Sequence, residues 1–548
     1  MVFLLAPDHK RFFAPAVVCL GLCALVAWAC AQFYLPGKGF TYLIEFGELQ
    51  HERFLPALKA VHPYEVKDKM GYDAQYYAQM AMEPNLGSPD LRRAVDSLPY
   101  RARRILLSWI AYALGGGDPV RALNIFAFEN IFSWFALAAL FCRWAPPWKW
   151  TGLARWVGLL LGFGLCCSLR GALVDGPSLL MIAGAVALAE EEWWWSAAVV
   201  LGLAGLMRET NLLAVVILIP KGQWKRRPAA LGTEEKRRDA ASTFGQIAMA
   251  VAPLIIWLLV LRHWLGSAED LGARNFAAPT AGYFGKWSEI IGHLRTHRFD
   301  YVGRGNLLML VGLTAQMLGI LYAPNEHPQW RSVGAVFAGL GLCLGPAVWE
   351  GYPGAAARVL LPMTAAFFVL VPLERRRALP WLLYALGAMS VVVAPEILSP
   401  PGRESVEVRG PRELRIMDRT GQIVDAVFGP EWYDPEKSWL EYWRWCKSSG
   451  TVTFVNPHPF PVKADISFGL RASDARTVAV RAVDRTWWFG RLTPSSMRDV
   501  KLTDVTLPPG DTTWKFESLE PPLRANAPDA RDSTFSLRDL RIDLHGTP

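Results

Sequence analysis

The chain has 548 residues, with 57 Lys and Arg against 49 Asp and Glu (net charge +8), 52% hydrophobic residues, only 19% charged ones and 24 Trp. So much Trp with so little charge points to a bilayer and excludes a collagen, a disordered tail or a small disulfide scaffold. The mean hydropathy of +0.19 averages two unlike parts, long apolar blocks up to about residue 396 and then a polar region of roughly 150 residues.

The cysteines carry little information. Cys19, Cys23, Cys30, Cys142, Cys166, Cys167 and Cys343 lie in or beside apolar runs, and only Cys446 stands in the polar part. With no CxxC pair and no Cys/His cluster at metal-ligand spacing, they read as small buried hydrophobes.

Lys10 and Arg11 precede an apolar run to about Ala31 that lacks a small-residue cleavage site, so it reads as a retained first helix with a cytoplasmic N-terminus. Further apolar runs lie near 120–142, 154–169, 177–190, 194–207, 210–220, 243–262, 305–322, 332–348, 359–373 and 380–396. Several fall short of the ~20 residues of a straight span, which predicts broken or tilted helices. The basic clusters Arg143/Lys149/Arg155, Lys221 to Arg238 and Arg375/Arg376/Arg377 should all face the cytoplasm. Eleven passes satisfy them if 207–210 is a tight outer turn between two short helices and 103–116 lies along the outer face without crossing. The stretches 34–119, 263–304 and 397–548 then lie outside.

The first outer stretch contains GYDAQYYAQMAMEP (71–84) and SLPYRARRILL (97–107). An acid beside arginines at the membrane edge fits two readings. Against a lipid phosphate, Arg101, Arg103 and Arg104 would present forked donors while Asp73 accepts a proton from an attacking hydroxyl. Alternatively, Asp73 caps a helix with Gln75 and Tyr76 in its first turn, and the arginines meet lipid head groups. Arg208 and Glu209 stand in the outer turn, where an unpaired charge is costly; they pair with each other, or Arg208 contacts a phosphate. His51 and His62 have no partner at HxxxH or HExxH spacing. No P-loop, GxSxG elbow or GxGxxG is present, which argues against cytosolic nucleotide-driven chemistry.

From residue 397 onward, the runs TVTFVN (451–456), VKADISFGLR (462–471), RTVAVRAV (476–483), RDVKLTDVTLP (498–508), TTWKFESL (512–519) and LRDLRIDL (537–544) alternate between turn residues. This spacing predicts an all-β sandwich or jelly roll. Ahead of it, WYDPEKSWLEYWRWC (432–446) crowds aromatic residues around acids and an arginine. Those rings either stack on sugars or pack on the sandwich and the membrane interface. The LPPG turn (507–510) and the late RDLRIDL strand resemble sandwich modules attached to bacterial surface-glycan enzymes.

Taken in order, YDAQYYAQMA, YRARRILL, SLRGALVDGPSLLMIAGAVALA (168–189), GLAGLMRETNLL (202–213), ARNFAAP (273–279) and AARVLLPM (356–363) give residues 10–396 a resemblance to the bacterial branch of the C-type glycosyltransferase superfamily (GT-C). The resemblance implies a multi-pass enzyme of the bacterial inner membrane with its C-terminal domain in the periplasm. It would take a polyprenyl-phosphate sugar as donor and a glycan, lipid or protein as acceptor, with membrane lipids around it and no nucleic acid. It makes Asp73 the general base, with Tyr72, Gln75 and Tyr76 beside it as substrate contacts. Asp175 matches a later membrane-edge acid that orients the acceptor or a metal, or else it is a bare helix cap. Arg208, Arg274 and Arg358 become phosphate ligands, each with a plain surface or ion-pair alternative, and Glu350 and Tyr352 would touch sugar hydroxyls. The first loop lacks the Asp-Glu pair of better-known branches, which weakens the case for metal, and a divalent ion stays open as the one cofactor.

Three rivals remain at this level. A transporter or flippase of lipid-linked sugars would use the arginines without a base. A polymerase or ligase would share the chemistry with a diphosphate donor, and an assembly scaffold would tolerate loss of Asp73.

Overall fold

The computed structural model describes residues 9–35, 37–66, 70–219, 233–266, 275–297, 301–324, 326–349, 355–375, 377–398, 405–410, 412–417, 422–437, 442–494, 497–524 and 532–545. The chain divides into two compact units, 1–399 and 400–548, each with its own apolar core.

The first unit is helical. The described part of each of the eleven apolar runs is largely helical, but 154–169, 332–348, 359–373 and 380–396 are each broken into two or three helices. Ala14–Gln32, Pro119–Phe141, Ala241–Leu265 and Gly305–Tyr322 are long and apolar enough to cross a bilayer. The pair Trp150–Leu160 and Phe163–Arg170, bent by 49°, makes a fifth if taken as one span. The other runs form helices of ten to sixteen residues, among them Asp175–Glu190, Trp194–Met207, Pro328–Cys343 and Leu361–Leu370. Glu209–Leu218 is wound as a 3-10 helix, tighter and longer per residue than an α-helix. Leu106–Gly115 is a short helix whose chain reverses at Gly116 and Gly117, both at positive φ, before Asp118 caps Pro119–Phe141 by accepting the Arg121 N–H (2.8 Å).

Two polar clusters lie at opposite ends of the helix Asp175–Glu190, whose sixteen residues span about 24 Å. At its C-terminal end, Glu190 accepts from Arg143 (3.0 Å) and Trp144 (2.9 Å) and lies 3.6 Å from His327. Arg155 pairs with Glu374 (2.7 Å) and Arg375 with Glu326 (3.6 Å). The basic groups at 143, 155 and 375 are thus neighbours, as their assignment to one side requires; of the cluster Lys221 to Arg238, residues 221–232 lie outside the described residues. The Asp175 end carries the candidate site.

The loops 34–119 and 263–304 meet. Trp257 Nε1, in the helix that leads into the second loop, donates to the Ala102 carbonyl (2.8 Å), Arg92 reaches the Trp264 carbonyl (3.4 Å), and Asn275 Nδ2 donates to the Tyr100 hydroxyl (3.2 Å).

The second unit is a sandwich of two antiparallel sheets. One has seven strands in the order Thr486–Leu492, Arg476–Arg481, Gly510–Ser518, Ser449–Asn456, Ile423–Phe428, Glu413–Met417, Ser405–Gly410. The other has five, Arg498–Leu507, Val462–Ala472, Phe535–His545, Tyr442–Trp445, Glu436–Lys437. All six alternating runs form strands, and burial alternates strictly along Ser449–Asn456, so Val452 and Phe454 face inward into the core that Ile466 and Phe468 of the other sheet share. Trp432 is buried in this core, with its indole N–H on the Thr451 carbonyl (2.9 Å), and Tyr442–Trp445 is itself a strand. Trp432 thus packs in the sandwich, while Tyr433, Tyr442, Trp443 and Trp445 are only half-buried.

Candidate functional site

The site begins with a turn. Gly71, at φ +76°, bends the chain into the helix Ala74–Met82, and a Cβ there would collide with the Gln75 amide. That amide is occupied under the loop: Gln75 Oε1 accepts the Gly47 N–H (3.2 Å) and Nε2 donates to the Met70 carbonyl (2.7 Å). Gln79 repeats the device one turn on, accepting the Leu55 N–H (3.0 Å). Gln75 therefore supports the loop from below, and the exposed side of the turn is left to Tyr72, Asp73 and Tyr76.

Asp73 stands at the N-cap position of this helix, yet its side chain accepts no capping hydrogen bond. It pairs instead with Arg101, whose Nη1 lies 2.9 Å from Oδ1. Arg101 is held from behind by Asp96, to which Nε and Nη2 donate at 2.9 and 2.6 Å, and its guanidinium lies over the Tyr76 ring (4.9 Å). Burial alone would push the Asp73 carboxyl up, but the positive charges of Arg101, Arg358 and Arg104 outweigh it and hold the group below the usual carboxylate range.

Arg104 takes a different acid. Its Nε lies 3.0 Å from Glu209, and its Nη1 and Nη2 donate to the hydroxyls of Tyr77 (3.2 Å) and Tyr100 (3.4 Å). Arg208, next to Glu209 in sequence, turns to Asp175. The two turn residues thus pair with the first loop and with a neighbouring helix, not with each other.

Asp175 opens the helix Asp175–Glu190 as a buried carboxylate shared by two arginines, Arg208 on Oδ1 and Arg358 on Oδ2 (3.2 Å). Arg358 passes the contact on, donating through Nη2 to the Tyr72 hydroxyl at 2.7 Å. A chain of contacts therefore runs from Asp175 through Arg358 and Tyr72 to the residue beside Asp73. Arg103 stands apart: its guanidinium lies over the Tyr100 ring (5.5 Å), and no carboxylate pairs with it among the described residues.

Of the residues expected from the sequence, Tyr72, Asp73, Tyr76, Arg101, Arg103, Arg104, Asp175, Arg208, Glu209 and Arg358 converge here. Arg274, Glu350 and Tyr352 lie outside the described residues, although Asn275, adjacent to Arg274, does reach Tyr100. Sequence reasoning missed Asp96, Tyr77 and Tyr100, which orient the arginines; the acid one turn upstream of YRARR was the available signal for Asp96. It also missed the pair Glu45–Arg170 (3.1 Å), in which Glu45 sits at φ +56° and its carbonyl accepts the Tyr72 N–H (3.1 Å). A non-glycine residue at positive φ is a strained one, here placed directly against the site. Among the described residues, no group of three or more His, Cys, Asp or Glu side chains is arranged to hold a metal ion.

No protein-family profile matches the chain, and no curated protein matches it.

Proposed function

We propose that this chain is an inverting glycosyltransferase of the GT-C kind. It crosses a bacterial cytoplasmic membrane eleven times and moves a sugar from a polyprenyl-phosphate donor to a glycan, lipid or protein acceptor at the outer face, with its sandwich domain in the periplasm. The observation that carries the reading is Asp73, a loop carboxylate that caps nothing and stands among five arginines at one end of the helical unit.

The donor phosphate enters beside Arg103, the guanidinium without a carboxylate, and competes with Asp73 for Arg101 Nη1. Asp73, released, takes the proton of the acceptor hydroxyl as its oxygen attacks the anomeric carbon opposite the phosphate. The bond between that carbon and the phosphate oxygen breaks, the anomeric centre inverts, and Arg101 and Arg104 stabilise the charge left on the departing polyprenyl phosphate.

One observation favours a transporter of lipid-linked sugars instead. Glu129, in the middle of Pro119–Phe141, buries both carboxylate oxygens with no hydrogen-bond partner among the described residues, and an acid within an apolar helix is a mark of proton relays in carriers. Purified protein in liposomes, given a panel of polyprenyl-phosphate sugars and mixed glycan acceptors, separates the two. The transferase releases polyprenyl phosphate only with acceptor present, and Asp73→Asn lowers that release by about 10²- to 10⁴-fold without unfolding the chain. Labelled donor crossing the bilayer with no release would establish transport in its place.

A further inference from the structure

At the far end of the helix Ala74–Met82, about 14 Å from Asp73, an open cleft of about 450 Å³ is lined by Met82, Glu83, Pro84, Asn85, Ser88 and Tyr112. Its volume lies within the range of small-molecule sites. The walls are built, not incidental. Glu83 closes the helix, and the Pro84 carbonyl that follows is fixed by the Trp109 indole N–H (3.3 Å). Ser88 accepts the N–H groups of Asp90 (3.1 Å) and Leu91 (3.4 Å), which leaves its own hydroxyl proton to give. Glu83 lines the cleft, and its Oε2 is buried with no hydrogen-bond partner among the described residues. A buried acceptor left without a donor is costly unless a ligand supplies one.

We infer that this cleft is a saccharide subsite. The chemistry selects a neutral polyhydroxylated ligand: a carboxylate oxygen to accept hydroxyl protons, an amide and a hydroxyl to donate, a tyrosine ring for a sugar face, and Met82 and Pro84 as an apolar floor. Glu83 repels a phosphate, which separates this cleft from the arginine-lined site at the other end of the helix. Resting on the transferase reading, the cleft holds sugars of the acceptor that lie behind the reacting hydroxyl, and one helix sets the distance between grip and base.

The test is saturation-transfer NMR on the full chain in lipid nanodiscs, with methyl glycosides of glucose, mannose and galactose and their disaccharides as probes and no donor lipid. A saccharide signal is expected in wild type and in Asp73→Asn. Affinity should fall at least about tenfold in Glu83→Gln and also in Asn85→Ala, an exposed position whose change leaves the fold intact. No signal from any saccharide, a signal unchanged in both variants, or binding of spermidine but not of sugars would each overturn the inference. Because binding is read without transfer, loss of the transferase reading leaves this result standing, and loss of the subsite leaves Asp73 chemistry untouched.

Discussion

Asp73 is held by Arg101 at 2.9 Å and not by the N–H groups of the helix it opens. A carboxylate in that state is a poor base until something takes the arginine away. The lowered pKa fits a base kept ionised and exposed to attack only when an anion arrives.

The same pair sets a pH dependence. With the folded pKa below the unfolded value, its contribution to stability is present above about pH 3.9 and fades as pH falls through the folded value. In Arg101→Gln, burial of Asp73 is opposed by one charge fewer, so protonation occurs at higher pH. The acid limb of polyprenyl phosphate release should move upward, read as the position of that limb and not the height of the curve.

Asp175 serves two arginines, so its loss strands both. Asp175→Asn should destabilise the helical unit by about 3 to 5 kcal/mol, because buried guanidinium groups lose their counter-charge. Arg358→Met should cost less, since Arg208 still neutralises the acid. Thermal unfolding in one detergent ranks the two, and the reverse order would remove the shared-carboxylate account.

Arg103 carries a different expectation. Stacked on Tyr100 with no carboxylate partner among the described residues, it contributes about 0.5 to 1 kcal/mol at most to the fold. Arg103→Ala should keep the melting temperature and raise the donor KM more than it lowers kcat, as measured with a titrated polyprenyl-phosphate sugar.

In the sandwich, a Cβ at Gly450 would meet the Trp432 indole at 2.5 Å and the Cys446 sulfur at 3.0 Å. Trp432→Ala should therefore cost about 3 to 5 kcal/mol, the range for emptying an aromatic site in a packed core. Burial pushes the Cys446 thiol up to about 12, so maleimide should leave it unlabelled near neutral pH in wild type and label it in the variant.

Much of this was legible from the residues. Apolar runs marked the long helices of the first unit because hydropathy reports the environment a segment is built for, and alternation marked the long strands because a half-buried sheet must alternate. Ser405–Gly410, Glu413–Met417, Ile423–Phe428 and Thr486–Leu492 escaped; in the last, TWWFGRL sits at the edge of its sheet, where outward aromatics blur the pattern. At the site, the acids and arginines were found but not their pairing. Arg208 and Glu209 are adjacent in sequence, yet each is claimed by a partner more than thirty residues away, and only packing decides that. Gln75 looked like a substrate contact because it follows Asp73 by two; that spacing swings it round the helix and under the loop.

The helix Asp175–Glu190 is tethered by ion pairs at both ends over about 24 Å, whereas a typical hydrocarbon core is about 30 Å thick. Neither end can slide without breaking its pairs. If this helix is one of the proposed membrane passes, lipid must accommodate the protein by thinning around it, and short-chain phospholipids should suit this chain better than long-chain ones.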